Sequence, residues 1–105
     1  MTDEEWATTP FPEYTDEQAA DIIRRSLTVD IAHDLGIETT EGEDGTRTGQ
    51  CPWCRSPRFT IYPDGGNWTC YGCAESGRDS MVLVAKVREL WRADALQWLE
   101  RRLTR

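Results

Sequence analysis

The sequence lacks a long hydrophobic run. No window approaches the stretch of about 18 apolar residues that a membrane-spanning helix needs. The first 24 residues contain no basic segment followed by an apolar one, as a secretory signal would. The sequence therefore predicts a protein of the reducing cytoplasm. In that compartment, four cysteines are expected to bind a metal rather than to form two disulfides.

The chain is also poor in hydrophobic residues and in histidine. It has 105 residues, of which 38% are hydrophobic, so we expect one domain. Its core is expected to be marginal, and a disulfide or a structural metal would stabilise it. The sequence contains no internal repeat and no low-complexity tract. The single histidine, His33, falls in a predicted short helix away from the cysteines. We expect an ordinary surface or half-buried position for it, rather than a role as a metal ligand.

Basic residues are scarce in the first half of the chain. Residues 1–50 hold 13 acidic residues and 3 arginines, whereas residues 51–105 hold 6 acidic and 9 basic residues. A nucleic-acid binder usually carries a basic footprint, so the net charge of −7 argues against one. The charge of the second half, taken alone, does not argue against nucleic-acid binding. Any contact with nucleic acid is therefore expected to be local and weak.

The first half predicts an arm and two helices. Residues 1–14 are acidic and contain two prolines, which predicts a flexible arm and leaves residues 15–105 as the domain. Thr15 and Gln18 have the spacing of a capping box. The helix that follows has an apolar face formed by Ala19, Ile22, Ile23 and Leu27. A second short helix is predicted from about Thr28 to Gly36, and EGEDGTRTG after it has the composition of a loop.

The second half predicts a hairpin and two more helices. The segments FTIY and NWTCY favour strands, and PDGG between them is a turn. ESGRD is predicted to be a loop that ends at the N-cap of a helix, at Asp79 or Ser80. One face of that helix carries Met81, Val84 and Val87 or Arg88. A last helix, over about residues 93–103, is predicted to bury Ala95, Leu96, Leu99 and Leu103, with Trp91 and Trp98 packed nearby.

All four cysteines lie in this predicted hairpin, as two Cys-x-x-Cys pairs. Cys51 and Cys54 are separated by 15 residues from Cys70 and Cys73, which is a spacing typical of structural zinc. Two knuckles from adjacent strands complete a tetrahedron with Zn–S bonds of about 2.3 Å. A redox pair would need a thioredoxin-like βαβ context, and iron–sulfur sites usually have tighter spacings. We therefore predict one structural Zn²⁺ in a small α+β domain, with a zinc-ribbon-like antiparallel sheet of three or four strands flanked by helices.

The order of the motifs resembles the zinc-binding domain of DnaG-type DNA primases. The resemblance rests on CPWC, SPRFTIYPDG, WTCYGC, ESGRDSMVLV and RADALQWL, and it covers about residues 16–103. In that family the second ligand is usually histidine, where this chain has Cys54. Four-cysteine relatives occur in phage primases, so a phage or mobile-element origin is implied. The basic insert that follows the second ligand in the family is shortened here to Arg55 and Ser56.

The resemblance implies a stand-alone zinc-binding subunit rather than an enzyme, because this chain lacks the primase polymerase domain. Such a subunit would bind the single-stranded DNA template and support RNA primer synthesis in trans, with a primase catalytic subunit or a helicase as partner. Single strands bind by stacking on aromatic rings, with cations along the phosphates. The candidate DNA contacts are Arg55, Arg58, Tyr62, Trp68 and Arg78.

Strand alternation indicates which of these candidate residues point away from the core. Arg58 is expected to point away from Phe59, which we predict to be core together with Trp53. For Trp68, core and surface are equally compatible with the sequence. A rival interpretation is a protein-interaction module that binds or inhibits a host replication or defence protein through the acidic half. A remnant without activity is a third alternative.

Overall fold

The computed structural model describes residues 14–64 and 66–104 of the chain. The predicted arm over residues 1–14 therefore lies outside the described residues, except for Tyr14. Tyr14 is half-buried against the helical core, and its hydroxyl donates to Glu100 Oε1 at 3.0 Å. None of the described helices is long and apolar enough to cross a membrane.

Two short helices open the described part of the chain. Helix α1 (Asp16–Arg24) begins with the predicted capping box, because the Thr15 side chain accepts from the Gln18 backbone N–H and the Gln18 side chain accepts from the Thr15 N–H. Helix α2 (Thr28–Asp34) ends before Gly36, whose φ of +86° is the left-handed conformation that glycine adopts without strain.

A sheet of five antiparallel strands follows, in the spatial order of the chain. The strands are β1 (Thr39–Glu41), β2 (Arg47–Gly49), β3 (Phe59–Ile61), β4 (Trp68–Cys70) and β5 (Ser76–Gly77). The β3–β4 pair is the predicted hairpin, with Phe59 opposite Cys70 and Ile61 opposite Trp68. The α+β class is confirmed.

The strand count and two predicted loops were wrong. The segment EGEDGTRTG contains the turn and second strand of the β1–β2 hairpin, in which Thr39 pairs with Gly49 and Glu41 with Arg47. ESGRD contains β5, which pairs with β4. These strands are two or three residues long, and their residues are exposed or only partly buried, so they carry no hydrophobic alternation. Hydrogen bonding to the neighbouring strands forms them, rather than local propensity.

Two further helices complete the fold. Helix α3 (Ser80–Arg88) has Asp79 as its N-cap, one of the two predicted positions, and the Asp79 carboxylate accepts from the Val82 N–H at 3.0 Å. Its C-cap, Glu89, is in the left-handed region at φ +56°. Helix α4 (Arg92–Leu103) follows after three residues and agrees with the predicted span.

Helix α3 lies between two parts of the hydrophobic core. Its Met81 and Val84 join a cluster formed by Ala19, Ile22, Ile31, Ala95, Leu96 and Leu99 of the other helices. Its Leu83 joins a second cluster that includes Phe59, Ile61 and Trp68 of the sheet. The helices therefore cover one face of the sheet, and burying each large apolar side chain contributes roughly 1.5–3 kcal/mol.

Several predicted core positions came out differently. Leu103 and Ile23 are only partly buried, and Trp98 packs against the helical cluster as expected. Leu27 is 64% exposed, because it is the N-cap of α2 rather than a member of the α1 face. Trp91 is 84% exposed, because it precedes the first turn of α4 instead of lying on its buried face. Both predictions of burial were wrong.

Candidate metal centre and the adjoining sheet face

The first cysteine pair forms a tight knuckle between β2 and β3. The N–H of Arg55 donates to the Cys51 carbonyl at 3.0 Å, and the Cys51 N–H donates to the Ser56 carbonyl at 2.8 Å. Arg55 itself adopts φ +63°, which turns the chain back after Cys54. The N–H groups of Trp53 and Cys54 lie 3.4 and 3.5 Å from Cys51 Sγ, where they stabilise a thiolate.

The second pair repeats this geometry between β4 and β5. The N–H of Ala74 donates to the Cys70 carbonyl at 2.9 Å, and the Cys70 N–H donates to the Glu75 carbonyl at 2.8 Å. Ala74 adopts φ +66°, and the Gly72 N–H donates to Cys70 Sγ at 3.3 Å. Two equivalent knuckles therefore present their sulfurs to a common point.

Gly72 is required by close approach between the two knuckles. A Cβ atom on Gly72 would lie 2.5 Å from Ser56 Cβ and 3.0 Å from Cys54 Sγ. Both distances are too short for a side chain to be accepted without a shift of the first knuckle. Gly72 therefore allows the two knuckles to approach each other because it has no side chain.

The four sulfurs have the separation that a tetrahedral metal ion requires. All four Sγ atoms lie within 4.8 Å of one another, with 3.8 Å between Cys51 and Cys73 and 3.5 Å between Cys54 and Cys70. A regular tetrahedron with metal–sulfur bonds of about 2.3 Å has edges of about 3.8 Å. The cysteines are free, and these distances are far longer than a disulfide bond of about 2.05 Å. The cluster could therefore hold one metal ion.

The environment of the sulfurs differs between the members of a pair. Cys51 and Cys70 are buried, whereas Cys54 and Cys73 are exposed. Burial raises the pKa of Cys51 to about 12, although N–H groups of Cys54 and Trp53 offset part of this effect. Burial also acts on Cys70, but the N–H groups of Cys73 and Gly72 outweigh it and lower its pKa to about 7. A metal ion must therefore displace a tightly held proton at Cys51.

No histidine or carboxylate joins this cluster among the residues that the structure describes. His33 is on the surface, as predicted, with Nδ1 3.2 Å from Glu38 Oε1. Four cysteine ligands fill a tetrahedral ion and leave no position for a reacting water. Such a site is structural.

The sheet face opposite the helices adjoins this cluster. By strand alternation it carries Thr40, Thr48, Thr60, Thr69 and Ser76, which are paired in register across the five strands. Arg58 and Tyr62 flank Thr60 on the same face, and Tyr71 follows Thr69. The central row of hydroxyl side chains on this face is polar, and Thr60 in the middle of the row is buried.

Arg58, Tyr62 and Tyr71 form one contiguous group, which we call the outer-face patch. The Arg58 guanidinium carbon lies 5.8 Å from the centroid of the Tyr71 ring, a cation–π distance. The hydroxyls of Tyr62 and Tyr71 are hydrogen-bonded to each other. Tyr71 is 55% exposed, and Arg58 is exposed. The patch therefore offers an aromatic ring and a cation at the surface, beside the second knuckle.

The other candidate contacts lie elsewhere. Arg55 is exposed on the first knuckle, and Arg78 is exposed beside β5, with Nε 3.8 Å from Asp79 Oδ2. Trp68 is only 1% exposed and lies in the sheet core. The prediction of a DNA contact at Trp68 is therefore wrong, because its ring faces the helices and no base can reach it.

Tyr71 was missed as a candidate contact. Its signal in the sequence is the alternation WTCY, in which Thr69 and Tyr71 share one face while Trp68 and Cys70 share the other. Cys70 is buried, so Tyr71, one position further along the strand, lies on the outer face. Phe59 is core as predicted, and Trp53 is half-buried against it.

Together these features define an α+β domain with a four-cysteine metal-binding cluster. No family model matches the chain. An alignment of 79 residues that covers 73% of the chain is 28% identical to a DNA primase of Streptomyces coelicolor. The match spans 12% of that primase, so the similarity is to a small part of it.

Proposed function

We propose that the chain is a zinc-binding accessory subunit of a DNA primase. In this role it binds the single-stranded DNA template on the outer-face patch and supports RNA primer synthesis in trans with a catalytic subunit or helicase. The similarity to part of a DNA primase and the four-cysteine cluster support the proposal. The Zn²⁺ ion, held by Cys51, Cys54, Cys70 and Cys73, would fix both knuckles and so the strands between them.

The outer-face patch is the observation that carries the DNA-binding part of the proposal. Tyr71 presents a half-exposed ring on which one base can stack, and Arg58 beside it can bind the adjoining phosphate. Tyr71 lies between the ligands Cys70 and Cys73, so the metal would hold the ring in place. Stacking on a fixed ring loses less conformational entropy than stacking on a flexible loop.

The charge distribution restricts where a DNA strand can lie. The β1–β2 hairpin carries Glu41, Glu43 and Asp44 at one end of the sheet, all exposed. These carboxylates repel phosphates, whereas Arg55 and Arg58 lie towards the metal end. We therefore expect weak binding that is confined to the metal end of the sheet and lost as salt rises.

Binding to a labelled oligonucleotide tests the proposal. The zinc-loaded chain should raise the fluorescence anisotropy of a single-stranded DNA oligomer at low ionic strength. Tyr71→Ala should weaken binding by roughly 1–3 kcal/mol, the contribution of one stacked base. Arg58→Ala should weaken binding to all sequences and reduce the salt dependence by about one phosphate contact.

A control variant that loses the same charge outside the patch distinguishes a contact at the patch from an effect of the net charge on DNA binding. Arg88→Ala removes one exposed arginine from the last turn of α3, on the helical side of the sheet, and should leave binding nearly unchanged. Equal losses in Arg58→Ala and Arg88→Ala would contradict a patch-specific contact.

The decisive assay is primer synthesis by a cognate catalytic subunit, with and without this chain. Equal synthesis in both cases would overturn the primase role.

A protein-interaction module that binds or inhibits a host replication or defence protein is the second candidate. The exposed Trp91 and the exposed acidic β1–β2 hairpin favour it, since exposed tryptophans are frequent anchors of protein interfaces. If primer synthesis is unaffected and no single strand binds at low salt, this candidate replaces the first.

A further inference from the structure

Helix α4 carries an open groove on the face opposite its buried side chains Ala95, Leu96 and Leu99. Leu90 and Trp98 form its apolar wall, and both are only half-buried against the helical core. The polar part of the wall consists of Asp94, Gln97, Arg101 and Arg102. The groove measures about 450 Å³, which is the size of a small-ligand site and enough for one aromatic side chain.

Two cations on α4 remain available for an anionic partner. Arg102 is paired with Asp34. Arg101 and Arg92 are both exposed, and neither forms an ion pair with residues 14–64 or 66–104. Asp94 lies between them along the helix without pairing to either. A ligand with carboxylates towards both ends of the helix can therefore form ion pairs on this face.

The acidic N-terminal segment, residues 1–13, joins the fold next to this groove. The segment lies outside the described residues and is followed by Tyr14, whose hydroxyl donates to Glu100 of α4 at 3.0 Å. Burial and Glu100 raise the pKa of Tyr14, and the positive charge of Arg101 offsets part of this effect. Arg101 therefore lies close to the residue from which the segment continues.

The composition of the segment complements the groove. Its charged side chains are all acidic: Asp3, Glu4, Glu5 and Glu13. It also carries two aromatic side chains, Trp6 and Phe11. The eight residue steps from Trp6 to Tyr14 can span up to about 26 Å, whereas α4 rises only about 10 Å from Asp94 to Arg101. Trp6 can therefore reach every part of the groove.

We propose that residues 1–13 bind along α4, with the Trp6 side chain between Leu90 and Trp98 and with carboxylates near Arg92 and Arg101. Because the segment is tethered through Tyr14, its effective concentration at the groove is about millimolar, so contacts too weak to hold a separate peptide suffice. Bound there, the carboxylates stay on the helical side of the domain, away from the outer-face patch. This contact is intramolecular and does not depend on the proposed binding of DNA.

Nuclear magnetic resonance of the full, zinc-loaded chain tests the contact directly. Nuclear Overhauser effects are expected between the Trp6 indole protons and the Leu90 methyl protons. The variant Trp6→Ala should shift the Trp98 indole N–H and the Arg101 amide, and it should leave the amides of the outer-face patch unchanged. The indole N–H of Trp68, which is buried in the sheet core, reports that the fold is the same in both samples.

Two arginine variants test the contribution of charge. Arg101→Ala should lower the equilibrium constant for binding of the segment about two- to fivefold, as expected for the loss of one exposed ion pair. The Leu90 methyl signals measure this constant by their position between the values in the unmodified chain and in Trp6→Ala. Arg78→Ala also removes an exposed arginine, but before the first residue of α3, whereas Leu90 follows its last turn. It should leave the constant unchanged.

Four outcomes would overturn the inference. The first is the absence of an Overhauser effect between Trp6 and Leu90. The second is a set of shifts in Trp6→Ala confined to the outer-face patch, which would assign the segment to that surface. The third is a contact that strengthens with chain concentration, which would assign it to a neighbouring copy. The fourth is an equal effect of Arg101→Ala and Arg78→Ala. None of these measurements uses DNA, so the proposed function is tested separately.

Discussion

Trp53 of the first knuckle stacks on Trp68 of β4, with ring centroids 5.7 Å apart and planes inclined by 29°. Phe59 completes the group, with its ring centroid 5.6 Å from that of Trp68 and 6.5 Å from that of Trp53. The loop that carries two of the four sulfurs is therefore anchored on the sheet core by aromatic packing. The metal cluster and the hydrophobic core are one connected structure.

Replacement of the buried tryptophan tests this connection. Trp68→Ala should lower the free energy of unfolding of the zinc-loaded chain by about 3–5 kcal/mol, because it removes a large core side chain and its hydrogen bond to Asp79. Urea denaturation measures the change. Trp91→Ala is the matched control: its ring is 84% exposed, so the change should stay within about 0.5 kcal/mol. Similar losses in the two variants would contradict the assignment of Trp68 to the core.

Metal removal should unfold the sheet. One Zn²⁺ per chain is expected, and zinc supplies roughly 10–16 kcal/mol in small zinc peptides, as much as the whole stability of a typical domain, about 5–15 kcal/mol. Native mass spectrometry measures the metal content, and thermal melting with and without a chelator measures the stability. An unchanged cooperative melting curve in the metal-free chain would show that the metal has no structural role.

Substitution at Cys54 tests the ligand set. Histidine and cysteine both fit tetrahedral zinc, and Cys54 is exposed, so the larger imidazole has room. Cys54→His should therefore retain one zinc ion through dialysis, whereas Cys54→Ala should lose it. Metal content by mass spectrometry distinguishes the two variants. Equal loss of zinc in both would contradict the proposed geometry at this position.

Zinc loading should release protons. Without metal, the Cys51 thiol has its pKa raised to about 12 and is protonated at pH 7. Because zinc binds the thiolate, loading at pH 7 must displace this proton, and lowering the pH must weaken the apparent affinity. Calorimetry in two buffers of different ionisation enthalpy counts the protons. Equal heats in both buffers, or an affinity that does not rise between pH 6 and about pH 8, would contradict proton release on metal binding.

Local sequence signals predicted the elements that depend on neighbouring residues. The capping box at Thr15 and Gln18, the end of α2 at Gly36 and the N-cap at Asp79 each involve contacts within a few positions of the chain. The cysteine spacing likewise predicted the cluster, because two knuckles on adjacent strands leave their sulfurs little freedom. These features follow from short-range geometry.

Only the tertiary structure decided which faces are covered. Strand alternation placed Trp68 and Tyr71 on opposite faces, but the packing of α3 on one side of the sheet made Trp68 core and Tyr71 surface. The β1–β2 hairpin had no local signal, since its polar strands are formed by pairing with β3. Sequence sets the period of each element, whereas burial depends on contacts between elements that no single segment encodes.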